Sequence, residues 1–196
     1  MLAKQINYIS EQDYLSGERN SEIRHEYVNG TAYAMAGASV NHNQITANML
    51  TSLKVQLKGS NCRPFSSDLL VKTGHERYRY PDVVVVCNNQ FLDDYSTNSP
   101  VFIVEVLSKA TRQTDRQSKR LEYLQLSSLQ EYMLIEQDSV EVEVFRRNQG
   151  WQPSYYYWGD TIQLESIGVT ITVDDIYELV ANEEVEQFLK QVKSES

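Results

Sequence analysis

The sequence predicts a mixed α/β or α+β domain whose central sheet lies at the middle of the chain. Three observations carry that expectation. Two short, almost wholly apolar runs, Pro81-Asp-Val-Val-Val-Val-Cys87 and Pro100-Val-Phe-Ile-Val-Glu-Val-Leu-Ser108, read as strands covered on both faces. Residues 40–58 form an amphipathic helix ahead of them. A β-rich stretch follows, so helices and strands are mixed rather than strictly alternating. With 196 residues the chain is about one domain's worth, and a single domain over 1–196 is expected.

Taken in order, Ser10-Glu-Gln-Asp-Tyr-Leu opens with a capping serine and first-turn acids, so a short helix begins there and ends near Gly17. Asn29-Gly30 between strand-forming residues marks a hairpin. On its first strand Arg24, Glu26 and Val28 share a face, and pattern alone makes Glu26 a surface residue. The helix of 40–58 carries His42, Ile45, Met49 and Leu53 on one stripe and stops at Gly59. His42 therefore faces inward near a helix start, where a satisfied core histidine is commoner than a catalytic one. Residues 63–73 and 78–87 read as two strands joined by a turn around Gly74. Asp68 interrupts the first of them, facing either the turn or the site.

A polar, irregular loop then runs through Asn98, a mobile connection by its composition. Beyond the Glu105 strand come a helix over 112–126, a buried strand Glu131-Tyr-Met-Leu-Ile-Glu136 and an alternating, half-exposed strand over 140–146. An aromatic strand over 151–158 and two short strands within 162–173 follow. A closing helix over 177–190 presents Leu179, Val180, Val185, Phe188 and Leu189. No repeat, low-complexity tract or linker interrupts this order.

Composition narrows the function classes. Hydrophobic residues at 41% and charged residues at 23% are ordinary for a soluble globular chain. No apolar run approaches the ~20 residues of a membrane span, and Met-Leu-Ala-Lys-Gln-Ile-Asn lacks the apolar core of a secretory signal. Cys62 and Cys87 have no metal-type spacing. Cys87, ending an apolar strand, is expected to be a buried thiol in a reducing, cytoplasmic setting. The net charge of −9 argues against a polyanionic partner. Residues 109–120, however, hold Lys109, Arg112, Arg116, Lys119 and Arg120 against Asp115 alone. Such a run is by itself a solvated helix face; its position directly after Glu105 raises a functional reading.

Asp82 and Glu105 are the lead to chemistry. A carboxylate within an apolar strand must be solvated, paired or metal-bound, because burying it alone is too costly. Carboxylates from two neighbouring strands offer hard oxygen ligands of the kind Mg²⁺ takes, with water and phosphate completing its shell. A metal held so polarises a phosphodiester and supplies hydroxide, and a nearby lysine stabilises the developing charge.

The ordered set of Glu26-Tyr-Val-Asn-Gly30, the helix starting near His42, Tyr80-Pro-Asp-Val-Val-Val-Val86, Val104-Glu-Val-Leu-Ser-Lys-Ala-Thr111, Asp115-x-x-x-Lys119-x-x-x-Tyr123 and Glu131-Tyr-Met-Leu-Ile resembles the Uma-two family of restriction-endonuclease-like proteins, within the PD-(D/E)xK nuclease superfamily. The resemblance covers roughly residues 10–180. It implies a restriction-endonuclease-like central mixed sheet flanked by helices, with a β-rich extension. It also implies a metal-dependent endonuclease that hydrolyses phosphodiester bonds in DNA. Cutting two antiparallel strands uses two sites related by a two-fold axis, so a homodimer is expected, with the β-rich C-terminal half as its interface. Asp82 and Glu105 would hold Mg²⁺ or Mn²⁺, and Lys119 would complete the catalytic set.

The superfamily's lysine belongs two residues after its glutamate, where this chain has Leu107; in the Uma-two group it moves to the following helix, which offers Lys119. That helix starts close to the end of the Glu105 strand, so a long side chain one turn in can reach back, its pKa lowered by partial burial for proton transfer. Asp115, Lys119, Tyr123 and Leu126 share one helical face, with Leu121 and Leu124 roughly opposite. If the Leu121 side meets the sheet, Lys119 is only a surface charge. Glu26 and His42 match recurring family positions that line the site, Tyr123 would pack beneath the lysine stem, and Asp68 is a candidate third acid.

The competing reading is a catalytically inactive nucleic-acid- or protein-binding module on the same scaffold, favoured by Leu107 and by the acidic net charge. A third is a structural homodimer with Tyr155-Tyr-Tyr-Trp158 as its interface, although core burial accounts for those aromatics equally well.

Overall fold

A computed structural model describes residues 8–188. Its first half contains α1 (Glu11–Glu18), β1 (His25–Val28), β2 (Thr31–Ala34), α2 (Val40–Gln56), β3 (Cys62–Ser66), β4 (Leu70–Gly74), β5 (Arg77–Arg79), β6 (Val83–Cys87), β7 (Ser96–Thr97) and β8 (Pro100–Leu107). Then come α3 (Arg112–Thr114), a π-helical turn (Asp115–Lys119) and α4 (Arg120–Leu124), which run on from one another, followed by β9 (Glu131–Glu136), β10 (Val142–Arg146), β11 (Pro153–Tyr156), β12 (Thr161–Leu164), β13 (Val169–Thr172) and α5 (Val173–Ile176).

The central sheet is six-stranded, in the order β11-β10-β9-β8-β6-β3. β8 pairs antiparallel with β6 and parallel with β9, and the parallel pair is bridged by the α3–π–α4 helix, as a crossover requires. β6 and β8 are continuous apolar runs because both of their faces are covered. On one face Ile45, Met49 and Leu53 of α2 join Val83, Val85, Val104 and Val106. The β12–β13 hairpin adds Ile162, Leu164, Val169 and Ile171 to that core. On the other face Tyr123 and Leu126 join Val84, Val86, Ile103 and Leu107.

A second, five-stranded sheet runs β2-β1-β5-β4-β7 over a smaller core of Tyr14, Tyr27, Leu70, Tyr78 and Tyr80. Its hairpin turns at Asn29 and Gly30, with φ of 48° and 83°, the left-handed pair that a two-residue connection of this type needs. The strands expected over 63–73 and 78–87 each divide in two, because each run serves both sheets. At the second division Pro81 lacks the N–H that a ladder requires. The chain leaves the smaller sheet at Arg79 and enters the central one at Val83, with Asp82 at the crossing.

Other expectations change with tertiary pairing. β10 is buried throughout rather than half-exposed: Glu143 pairs with Arg116, and Arg146 with Glu131. The loop through Asn98 contains β7, which pairs in parallel with β4 and has both residues buried. Thr172 caps α5 by accepting from the Asp175 backbone N–H, so helix begins before residue 177. The chain then turns, with Leu179 exposed at φ 60°, and is helical again over 183–188; Leu189 and Lys190 lie outside the described residues. Cys62 and Cys87 face each other across the β3–β6 ladder and form a disulfide, in place of the expected reduced thiol. Sequence spacing gave no sign of this, because antiparallel register makes them neighbours. Among the described residues no helix is long and apolar enough to cross a membrane.

Candidate active site

The helix after β8 lays its Asp115, Lys119 and Tyr123 face on the sheet, leaving Leu121 59% exposed on the outside. Lys119 is therefore buried, and it ends the π-helical turn, a distortion that recurs at functional positions. Its Nζ stands 3.0 Å from Glu26 Oε1, 3.1 Å from Asp115 Oδ1 and 3.3 Å from Glu105 Oε1. The Asp115 contact is an ion pair without hydrogen-bond geometry, since Oδ1 has no hydrogen-bond partner. The Tyr123 hydroxyl donates to Glu105 Oε1 at 2.8 Å.

Asp82 enters from the other side of the same sheet end. Its neighbour Val83 is in register with Val104, which places Asp82 beside Glu105. Asp82 Oδ2 accepts from the Val106 N–H at 2.7 Å and lies 3.2 Å from His42 Nε2. Ser39 caps α2 by accepting from the His42 N–H, which sets the first turn so that the imidazole points at Asp82. His42 Nδ1 is enclosed without a hydrogen-bond partner.

Burial pushes the Glu105 carboxyl well above the usual carboxylate range; the Lys119 charge opposes that, while Asp115, Asp82 and Glu26 add to it. Burial raises Asp115 as well, again against Lys119. For Lys119, burial acts to lower the pKa, but Glu105, Glu26 and Asp115 outweigh it and hold the group well above its ordinary value. Lys119 is thus a firmly held ammonium, not the lysine of lowered pKa expected from partial burial. His42 follows the same logic, with burial overcome by Asp82 so that its pKa is raised.

Four carboxylates, Glu26, Asp82, Glu105 and Asp115, share this neighbourhood with one lysine. Among the described residues Asp82 Oδ1 and Glu105 Oε2 accept no hydrogen bond, and neither is among the enclosed unpartnered atoms. No group of three or more His, Cys, Asp or Glu side chains is gathered as a ready ligand set among those residues. Two free carboxylate oxygens amid excess negative charge fit a hard divalent cation that keeps most of its waters.

The Uma2 family model, described as "Putative restriction endonuclease", matches residues 11–174. The chain belongs to the Uma2 family. Two uncharacterized proteins of Synechocystis sp. are similar along most of their length: one is 35% identical over 175 residues, covering 86% of this chain and 91% of the relative, and the other is 30% identical over 151 residues, covering 75% and 85%. A crystal structure from Anabaena variabilis, described as a "putative nuclease", superposes with a TM-score of 0.70 at 19% identity, covering 82% of this chain and 93% of that one. That likeness establishes the fold.

In this Uma2 chain the structure gathers five of the sequence-selected residues around Lys119 and Glu105, namely those two with Glu26, Tyr123 and, through its charge on Glu105, Asp82; His42 joins through Asp82. Glu26 is buried rather than on the surface, because Arg79 Nη1 on the neighbouring strand donates to its Oε2 at 2.8 Å. Asp68 stands apart from this cluster: its side chain is 75% exposed in the turn between β3 and β4, paired with Arg24 at 3.1 Å.

Sequence reasoning passed over Arg79, Glu122 and the inward role of Asp115. Arg79 forks onto Glu122 at 2.9 and 2.7 Å and so ties the small sheet to α4. Its alternation with Tyr78 and Tyr80 was the available signal, since those rings face the other core. The basic run does not form a free stripe either. Arg112 pairs with Glu136 and Asp138, and Arg116 with Glu136, Glu141 and Glu143.

Proposed function

We propose that this Uma2 chain is a metal-dependent endonuclease that hydrolyses phosphodiester bonds in DNA. The observation that carries the reading is Lys119: although Leu107 occupies the usual lysine position, the following helix delivers an ammonium to within 3.3 Å of Glu105. Asp82 and Glu105 would hold Mg²⁺ or Mn²⁺, which when bound supplies Lewis-acid polarisation of the phosphate and an activated water. Tyr123 fixes one oxygen of Glu105 and leaves the other free. The Val106 N–H and His42 fix one oxygen of Asp82 in the same way. Glu26 and Asp115 hold Lys119 charged, so it serves as a fixed cation for the phosphate oxygens rather than as a base.

Lys119→Ala is expected to lower metal-dependent cleavage of plasmid DNA by at least ~100-fold, while Arg120→Ala, whose guanidinium lies over the Phe145 ring, costs far less. Equal activity of Lys119→Ala and the parent would end the displaced-lysine mechanism. Weak Mn²⁺ binding by calorimetry, lost in the Asp82→Asn, Glu105→Gln double variant, tests the metal site.

The second reading, an inactive binding module, is favoured by the saturation of Arg112 and Arg116 with β9–β10 acids; a parent that cuts neither DNA nor RNA with Mg²⁺ or Mn²⁺ would select it. The reading includes a homodimer, for which light scattering is the test. It also includes a cytoplasmic setting, against which the Cys62–Cys87 bridge weighs; thiol titration of protein isolated without reductant decides that point.

A further inference from the structure

A chain that is this acidic, with its basic run already paired, must meet a nucleic-acid strand elsewhere. The bases nearest the site are committed: Arg79 is buried in its fork on Glu122, and Lys119 is enclosed by carboxylates. A neighbouring cleft holding guanidinium groups in loose pairs lies between α1, the 88–98 loop and the small sheet, with a volume of about 60 Å³. Its walls carry Arg19, Arg24, Tyr80 and Tyr95 beside three carboxylates, Asp68, Asp93 and the buried Glu18, which accepts from the His25 N–H and the Tyr80 hydroxyl, over a floor of Leu15 and Leu70.

The cleft and the candidate active site share a wall. Tyr80 lines the cleft, and its backbone N–H approaches Glu26 Oε1 at 3.4 Å. Each guanidinium lies against a tyrosine: Arg19 is 5.5 Å from the centre of the Tyr95 ring, and Arg24 is 6.0 Å from that of Tyr80. Each also has a carboxylate that can release it. Asp93, 2.9 Å from Arg19, keeps the Tyr95 N–H and the Ser96 hydroxyl if the arginine turns away. Asp68 already stands in solvent. Exposed pairs of this kind contribute little, so exchanging them for phosphate leaves no buried charge alone. Tyr95 is 59% exposed.

Resting on the nuclease reading, we infer that this cleft binds the unpaired strand of the substrate beside the scissile phosphate, with Arg19 and Arg24 on its phosphates and one base stacked on Tyr95. A base can use that ring only when its own face is free, which selects single-stranded or splayed nucleic acid over closed duplex.

The test is fluorescence anisotropy of the full chain with a short labelled oligothymidylate, in chelator so that nothing is cut. Tyr95→Ala and Arg19→Ala should each weaken binding about tenfold. Tyr155→Ala, which removes a 49% exposed ring on the far edge strand, should leave binding at the parental value, and a duplex of the same length should bind more weakly. Unchanged affinity in Tyr95→Ala, no binding by the parent, or preference for duplex would each overturn the inference. Cleavage assayed in parallel separates the two readings. A chain that cuts DNA with the same KM after Tyr95→Ala keeps the nuclease and loses the cleft. A chain that cuts nothing, yet binds the oligonucleotide through Tyr95, loses the nuclease and keeps the cleft.

Discussion

At the start of β9, Glu131 is 2% exposed and both of its oxygens are met: Oε1 by Arg146 Nε at 3.1 Å, and Oε2 by the backbone and hydroxyl of Ser166. Arg146 Nη2 also donates to the Tyr156 hydroxyl and to the Gln163 carbonyl. In the adjacent strand Glu105 is also 2% exposed, but only one of its oxygens is engaged, beside an Asp115 oxygen and a His42 nitrogen that have no hydrogen-bond partner. Burial is the same in the two places and saturation is not. A closed cluster ties β9 and β10 to the β12–β13 hairpin. An open one retains acceptors without a protein partner, which under the nuclease reading a cation would fill.

The comparison breaks most readily at Arg146. Arg146→Ala leaves Glu131 buried and unpaired, so urea unfolding should show a loss of about 3–5 kcal/mol; a loss below ~1 kcal/mol would remove the distinction between the clusters. Next in size is a matched pair of neutral replacements. Glu131→Gln gives up charge-assisted bonds at a closed site and should cost about 1.5–3 kcal/mol. Glu105→Gln removes a charge whose burial was poorly compensated and should cost at least ~1 kcal/mol less than Glu131→Gln.

The pH dependence sharpens the contrast further. Burial holds Glu105 above its ordinary value of 4.5 in the folded chain, so the folded state binds that proton more tightly than the unfolded state does. The stability from this group is present at low pH and declines as pH rises from about 4.5 toward the raised folded value. Glu105→Gln should flatten that decline, leaving the part due to Asp115, which burial shifts the same way. A denaturant midpoint with the same pH slope in variant and parent would show that Glu105 titrates normally. The smallest effect is expected from Tyr123→Phe, which removes one hydrogen bond to Glu105 for about 1 kcal/mol of stability.

What was legible in the sequence divides along the same line between local and distant pairing. The Asn29-Gly30 hairpin, the Ile45–Met49–Leu53 stripe and the apolar runs at 83–87 and 100–107 are written in short-range pattern, and each forms as expected. Asp82, Glu105 and Lys119 were recognisable because they stand in a known order, not because spacing alone brings them together. Glu26 was misjudged because its burial comes from Arg79, 53 residues away. The division of the 78–87 run was hidden for a like reason: Pro81 marks a break, but not that the halves belong to different sheets. Arg112 and Arg116 looked free because their partners lie on β9 and β10 and in the turn between them.

The strand crossing at Asp82 also governs when the site can exist during folding. Its acids and its lysine come from the hairpin of the small sheet, from the crossing, from the central strand and from the helix beyond it, so no contiguous segment contains the set. Contacts between residues distant in sequence form late, after the loops between them have closed. A chain with only one sheet assembled would leave Glu26 on one side and Glu105 on the other, with Lys119 unable to span them. The proposed activity should therefore recover with the slowest refolding phase and not with the formation of either sheet, keeping a nascent or partly unfolded chain chemically silent.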